Sequence, residues 1–317
     1  QAIPTYTMQC FKLPAGLISE LNSMLSNFWW SDRGKAKIHF LAWEKLCQAQ
    51  VHGGLGFRNL ATFNTALLAK QCWRIFAQPE LLLSQLMKGK YFKSSSFLEA
   101  RLGRRPSYTW PSLLTARELL VSGLRWCPGD GTQINVWNSP WLPRTGAFKP
   151  LYRHPSLPLD LRASDLINPR TGEWDRDKIF RLFLHADAMS ILSIPLASPG
   201  HNDRIIWHHA RDGKYSVRSG YIQAHYREGL LSPGQAQPNA ALSTFWKDIW
   251  KTTLPPKIIL FAWRLCRGIL PTKEILRRRK ICPDSLCEIC QGAEENWHHA
   301  LVLCTWAKLV WSNLNLP

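Results

Sequence analysis

The chain has 317 residues, is 45% hydrophobic, contains 16 Trp, and carries a formal charge of +18 with a pI near 9.8. That much apolar material excludes a wholly disordered chain, and the length leaves room for two or three domains. No apolar run approaches the roughly 18 to 20 residues of a membrane-spanning helix, so no membrane partner is expected.

The charge is unevenly placed. Residues 1–151 carry 18 Lys and Arg against 7 Asp and Glu, residues 152–244 carry 11 against 9, and residues 245–317 carry 11 against 6. An excess of this size points to a polyanionic partner, most simply RNA or DNA. The first residue is Gln and no signal peptide is visible, so the chain is expected to be an intracellular fragment, nuclear or cytoplasmic and not secreted. Nine cysteines, an odd number scattered singly outside one cluster, fit a reducing compartment better than a disulfide framework.

In chain order, Leu17, Leu21, Met24, Leu25 and Phe28 fall on one face of a helix that ends at Trp29-Trp30. Lys35 and Lys37 then make a basic turn, and Trp43 opens a short helix. Gly53-Gly54-Leu55-Gly56 lacks the spacing of a phosphate loop and reads as a turn. Asn59 can cap a helix carrying Leu60, Phe63, Leu67, Trp73 and Phe76, long enough to be a main core element. Another amphipathic helix, Glu80 to Tyr91, closes with Lys88 and Lys90, where cations also favour the helix dipole. Arg104 and Arg105 add charge before a helix from Pro111 to Leu120.

Gly129-Asp130-Gly131 is a turn, and Gln133 to Trp137 alternates like a short strand, with Trp137 and Trp141 read as core residues. Residues 140–169 are dotted with proline and read as connection. Asp175 and Asp177 open a helix through Leu184 as ordinary capping chemistry rather than as a metal dyad. Arg204 to Trp207 and Lys214 to Val217 flank Asp212-Gly213, which predicts a hairpin, and Val217 to Tyr226 turns helical. Residues 229–243 read as a linker.

The last stretch carries the chemistry. Pro255-Pro256 opens a helix in which Ile258, Ile259, Phe261, Ala262, Leu265 and Cys266 crowd one broad apolar face. Pro271 starts a second helix with Arg277, Arg278, Arg279 and Lys280, either a phosphate-binding patch or a solvated face. Cys287 and Cys290 follow as C-x2-C, then eight residues, a His, four residues and Cys304. Two thiolates on one turn with a downstream His and Cys can complete a tetrahedral zinc site of the Cys3His type, the alternative being a few buried free cysteines that behave as small hydrophobes. From spacing alone, His298 and His299 compete for the third position. No GxSxG, HExxH, Asp-Asp pair or Cys-His nucleophile pair is present, which predicts that the chain is not an enzyme and takes no small-molecule substrate.

Several stretches together resemble one family. Ala2-Ile-Pro-Thr-Tyr6, Phe28-Trp29-Trp30, Trp43-Glu-Lys-Leu-Cys47, Gly53-Gly-Leu-Gly-Phe57 and Leu67-Leu-Ala-Lys-Gln71 are similar to the region after the polymerase palm in plant LINE-type (non-LTR) retrotransposon reverse transcriptases. Ser107-Tyr-Thr-Trp110, Gly129-Asp-Gly131 with Val136-Trp137, and Pro140-Trp141-Leu142 continue the resemblance. Asp203-Arg-Ile-Ile-Trp207, Tyr215-Ser-Val217 and Phe245 through Trp311 look like that family's zinc-binding domain.

The resemblance implies zinc on Cys287, Cys290, His299 and Cys304, choosing His299 over His298. It also implies that the family's catalytic Tyr/Phe-Ala-Asp-Asp motif and its endonuclease are missing here. The fold expected is mainly α with small β elements: a basic thumb-like helical segment over 1–151, and a near-neutral α+β segment with short hairpins over 152–228. The zinc-binding domain starts near 203, the linker follows at 229–243, and a helical zinc-binding domain fills 244–317. The function expected is a non-catalytic nucleic-acid-binding part of a reverse transcriptase. The alternative is a zinc-stabilised structural or protein-interaction module.

Overall fold

The computed structural model of the protein describes residues 4–31, 38–144, 148–155, 157–196, 200–227 and 240–314. The helices begin with α1 (Thr5–Cys10), α2 (Ala15–Trp30), α3 (Trp43–Leu46), α4 (Leu60–Ala77), α5 (Leu82–Tyr91) and α6 (Thr109–Val121). Strand β1 (Leu124–Cys127) is followed by α7 (Arg176–Leu182), α8 (His185–Leu192), strand β2 (Arg204–Trp207) and α9 (Val217–Arg227). The C-terminal stretch adds α10 (Ala240–Lys251), α11 (Pro256–Cys266), α12 (Lys273–Arg278) and α13 (Thr305–Asn313). The fold is mainly α with small β elements, as expected. None of these helices is long and apolar enough to cross a membrane.

The chain divides into two compact units, both discontinuous. The first takes Gln1–Ile18 and Leu60–Ser232; the second takes Ser19–Asn59 and Pro233–Pro317. These boundaries differ from the linear segments read from charge and composition, because Trp30 and Trp43 share a core with Trp246 and Trp263.

In the first unit α4 is the central element, packed against α1, α6 and α9. Its Leu60, Phe63 and Leu67 are buried, and Ala66, Ala69 and Cys72 are fully so. Small residues on that face let neighbours reach the backbone: Tyr215 donates its hydroxyl to the Ala66 carbonyl at 3.0 Å. Buried Asn64 is fully used. It accepts from the Leu13 amide at 2.8 Å and donates to the carbonyls of Met8 and Phe11 at 2.7 and 2.8 Å. A buried amide left unpaired would cost roughly 1–3 kcal/mol, so these bonds hold α1 and the turn after it against α4.

A second core of the same unit gathers Ile134, Val136, Trp141, Leu142, Leu166, Ile179 and Ile191. Residues 140–169 therefore contribute to a core rather than serving only as connection. Trp137 and Trp141 are core residues, 8% and 0% exposed. Asp175 caps α7 by accepting from the Lys178 amide at 3.0 Å, the capping role read from the sequence.

The β structure corrects the sequence reading. Residues 133–137 are not a strand; Asn135 makes only an isolated bridge to Arg162. The expected hairpin over 204–217 does not form either. β2 pairs antiparallel with β1, Leu124 opposite Trp207 and Cys127 opposite Arg204. The Asp212-Gly213 turn returns one bond, from the Trp207 amide to the Gly213 carbonyl at 2.8 Å, before the chain enters α9. Around Gly129-Asp130-Gly131, the amides of Gly129, Gly131 and Gln133 converge on the Asp203 carboxylate at 2.7–2.9 Å. Gly131 has φ +76°, and a Cβ there would meet the Ser164 amide nitrogen at 2.4 Å.

The second unit is built on tryptophan. Trp30, Trp43, Leu46, Trp246, Trp263 and Ile269 form its core, with Trp29, Phe40, Phe57 and Trp250 packed around them. Trp43 stacks on Phe57 with centroids 5.1 Å apart. The glycine-rich stretch 53–56 is a turn, as read. Gly53 has φ +77°, and a Cβ on Gly54 would lie 2.0 Å from the Gln48 carbonyl oxygen.

Two helical faces came out differently. On α2, Met24 and Phe28 are 56% and 81% exposed, while Ser26 and Trp30 are buried. On α11, Trp263 is the buried residue, and Ile258 and Phe261 are exposed. In both helices packing follows Trp, the residue with the most area to bury. The segment read as a linker falls mostly outside the described residues, and α10 begins inside it at Ala240.

Candidate metal centre

The centre lies in the second unit, between α12 and α13. Leu286 and Glu294 form an antiparallel bridge that closes a small loop. Inside it the Cys287 amide bonds the Ala293 carbonyl at 2.9 Å, and the Gln291 amide returns to the Cys287 carbonyl at 2.9 Å. Gln291 takes φ +48°, the left-handed bend that turns the chain after Cys290. Two thiols on one tight turn are thereby presented to the same side, the local geometry of a metal knuckle.

The other two donors come from a short π-helical turn, His299–Leu303. Asn296 accepts from the His299 amide at 2.7 Å and starts that turn. The Cys304 amide bonds the His299 carbonyl at 2.8 Å, and Cys304 then caps α13. Such single π turns often mark functional positions, because the extra residue re-aims a side chain.

Cys287, Cys290, His299 and Cys304 each offer one ligand atom, and the four atoms lie within 4.8 Å of one another. The Cys290 sulfur and His299 Nε2 are 3.2 Å apart. Tetrahedral zinc, with Zn–S about 2.3 Å and Zn–N about 2.0–2.1 Å, spaces its ligands about 3.5–3.8 Å apart. To take the ion the Cys290–His299 pair opens by about 0.3 Å and the wider spacings, up to 4.8 Å, close. Cys287, His299 and Cys304 are buried at 2%, 8% and 2% exposure. His298 is exposed and its ring faces Trp297, so the geometry gathers His299 and leaves His298 outside. Cys282 is outside too, its sulfur turned to the carbonyls of Asp284 and Lys273 at 3.0 and 3.5 Å.

The thiols are electrostatically unequal. Burial pushes the Cys304 thiol up, but the amides of Trp306 and Ala307 at the start of α13, with Cys290 and Cys287, bring it below its ordinary value. At Cys290 the Gly292 amide favours the thiolate, yet burial and the neighbouring Cys287 and Cys304 leave that thiol raised. Three thiols this close repel as anions, and a divalent cation relieves the repulsion.

The basic residues are placed as follows. Arg277, Arg278, Arg279 and Lys280 are all exposed at the end of α12. Arg277 donates to the Ser285 hydroxyl at 3.1 Å. Arg279 donates to the carbonyls of His39 and Phe40 at 2.7 Å each, with its guanidinium 5.2 Å from the Phe40 ring centroid. The four are thus not equivalent, and Arg279 is committed to protein contacts. Lys88, Lys90, Arg104 and Arg105 are exposed on the first unit. Lys35 and Lys37 lie outside the described residues. Arg279 as a strut and Asn296 as the start of the π turn were not anticipated. Asn three residues before His is a helix-start spacing that offered a signal for Asn296; nothing local signals Arg279.

A buried Cys3His cage on a knuckle and a π turn defines a zinc-binding domain of the structural kind. Residues 215–311 match the family described as "zinc-binding in reverse transcriptase". The chain is 47% identical over 152 residues to "Uncharacterized mitochondrial protein AtMg00310" of Arabidopsis thaliana, an alignment covering 47% of this chain and 99% of that protein. It is 29% identical over 326 residues to "Putative ribonuclease H protein At1g65750" of the same plant, covering 98% of this chain and 50% of that one. No solved structure matches. The chain belongs to the family of the mitochondrial protein and carries a reverse-transcriptase zinc-binding domain with a Cys3His cluster fit for the metal.

Proposed function

We propose that the chain is a non-catalytic, nucleic-acid-binding part of a LINE-type (non-LTR) retrotransposon reverse transcriptase, C-terminal to the polymerase palm. In this reading Cys287, Cys290, His299 and Cys304 hold one zinc. The observation that carries it is the coincidence of the four-donor cluster with the matched span 215–311. The charge of +18 supports a polyanionic partner, RNA or DNA. A relative named as a "Putative ribonuclease H protein" agrees with nucleic-acid metabolism.

When bound, the zinc cross-links the knuckle to the π turn; with four protein donors it keeps no open position for substrate. The chain's own residues do the rest. Gln291 bends the knuckle, Asn296 sets the π turn, and the α13 amides favour the Cys304 thiolate. The sequence carries no Asp-Asp pair of the polymerase type for two-metal nucleotidyl transfer, so no polymerase activity is expected of it. In this reading the chain acts in the nucleus or the cytoplasm.

One observation favours a second reading, a protein-interaction module. Of the 16 Trp in the chain, Trp297, Trp306 and Trp311 are the exposed ones, and all flank the metal donors. Leu303, Leu309 and Val310 are exposed beside them. The two readings separate in one experiment, equilibrium binding of the purified chain to RNA, duplex DNA and RNA–DNA hybrid over a salt series. Phosphate contacts give affinity that falls steeply with salt. Absence of binding at low salt overturns the nucleic-acid reading and leaves the interaction module.

A further inference from the structure

Helix α12 is bonded on two sides, and the two sides belong to segments far apart in sequence. Toward the metal centre, the Lys273 amide donates to the Glu295 carboxylate at 3.2 Å and the Glu274 amide to the Glu295 carbonyl at 3.2 Å. Arg277 reaches Ser285, whose carbonyl accepts from the Glu295 amide at 2.7 Å. Ser285 and Glu295 flank the Leu286–Glu294 bridge that closes the knuckle. At its C-terminus, Arg279 donates to His39 and Phe40, 240 and 239 residues away.

The Arg279 anchor is made of strong parts. A guanidinium with two nitrogens on two carbonyls is held by charge-assisted bonds and oriented by its planar fork. The Phe40 ring beneath it adds a cation–π contact. Phe40 in turn packs on Trp30, a core residue, with centroids 5.9 Å apart. Just beyond Arg279 the chain reverses at Lys280, with φ +59°, and runs to the knuckle. The direction in which the chain leaves for Cys287 is thus set where the N-terminal segment grips α12.

We propose that Arg279 is a positioning residue for the metal centre, linking residues 38–46 of the N-terminal segment to the zinc cage. Its bonds to His39 and Phe40 hold α12 where Glu295 and Ser285 keep the knuckle facing His299 and Cys304. The zinc-binding unit accordingly extends beyond the matched span 215–311 and includes the N-terminal segment. By linkage, zinc in turn stabilises the hold of α12 on residues 38–46. The inference rests on the assignment of Cys287, Cys290, His299 and Cys304 as the ligands.

The test is a competition titration of zinc on the full chain against a metallochromic chelator, comparing wild type, Arg279→Gln, Arg278→Gln, Phe40→Leu and Cys290→Ser. Removing outer-shell support of metal ligands typically weakens affinity about 10- to 100-fold. Arg279→Gln is expected at the low end, about tenfold, with Phe40→Leu between it and wild type. Arg278→Gln, the same charge change one residue away, is expected within about twofold of wild type. Hydrogen exchange on wild type adds a readout that needs no variant to fold: removing zinc is expected to speed exchange of amides 38–46 and leave those of α4 unchanged. Arg279→Gln and Arg278→Gln with equal affinity, or unchanged exchange at 38–46, overturns the proposal while a defective Cys290→Ser keeps the ligand assignment. A Cys290→Ser protein that binds zinc like wild type overturns the ligand assignment and the proposal with it.

Discussion

The indole N–H of Trp263 donates to the Gly53 carbonyl at 2.9 Å, joining α11 to a turn 210 residues earlier in the chain. Trp263 is fully buried, and Gly53 sits at the left-handed φ that closes the turn. Trp263→Phe keeps most of the apolar area but strands that carbonyl in the core. An orphaned buried acceptor costs about 1–3 kcal/mol, so a loss of that size is expected in denaturant melts of the second unit. A variant as stable as wild type would show that water replaces the indole.

Asp203 organises the first unit in a similar way, with one carboxylate collecting three amides. Asp203→Asn places an NH2 against at least one of those N–H groups and removes the charge. Hydrogen bonds to charged groups contribute about 1.5–3 kcal/mol each, so a loss of about 3 kcal/mol is expected by thermal or urea melts. Full stability in the variant would mean the amides find other acceptors.

A pH dependence follows from His208. Arg125 Nε donates to His208 Nδ1 at 3.1 Å, which requires that nitrogen to be unprotonated. Burial, with His209 and Arg125 adding to it, pushes the His208 pKa down from 6.5 to about 4. Between those values the unfolded chain binds the extra proton, so stability rises with pH, is complete above about 6.5, and is lost as pH falls toward 4. The ring is half-buried, and after solvent screening the effect is about 1–2 kcal/mol. The difference in stability between wild type and His208→Gln, measured from pH 7 to 4.5, is expected to shrink on acidification. A constant difference removes His208 from the acid response.

Local signals were legible in the sequence and distant pairings were not. The four metal donors lie within 18 positions, and their spacing pointed to a Cys3His site while leaving His298 and His299 in competition; the fold gathers His299. The apolar period of α4, the Asp175 cap and the glycine turn at 53–56 are equally local. The partner of β2 is not: Asp212-Gly213 signals a hairpin, but Tyr215 is drawn into the core to reach Ala66, and β1 takes the pairing instead. The second unit escaped notice for the same reason, since nothing near Trp30 or Trp43 shows that Trp246 and Trp263 complete their core. Arg279 looked like one of four equivalent cations; only the fold gives it the carbonyls of His39 and Phe40.

The metal site gives a graded series of variants. Structural zinc contributes its binding free energy to folding, so chelation or Cys290→Ser is expected to abolish cooperative unfolding of the second unit. His299→Ala is expected to lose the zinc, whereas His298→Ala retains it because that ring lies outside the cage. Cys282→Ser is expected to bind one zinc as wild type does. Metal analysis with melts, with and without chelator, checks all four variants. A wild-type protein free of zinc after reconstitution, with an ordinary melt, would remove the metal from the fold.

The nucleic-acid reading makes its sharpest claim at Arg278 and Lys280. Both are exposed, and neither makes a side-chain hydrogen bond or ion pair among the described residues. Arg277 and Arg279 point to Ser285 and to the N-terminal segment, which leaves Arg278 and Lys280 as the free cations of the run. Each phosphate contact contributes about 0.7 to the slope of log affinity against log salt for single strands and about 0.9 for duplex DNA. Arg278→Gln with Lys280→Gln is therefore expected to flatten the slope by about 1.4 to 1.8, to weaken binding similarly across sequences, and to leave zinc content unchanged. A slope that does not move, with zinc retained, makes the run a solvated helix end and shifts any phosphate contacts to Lys88, Lys90, Arg104 and Arg105.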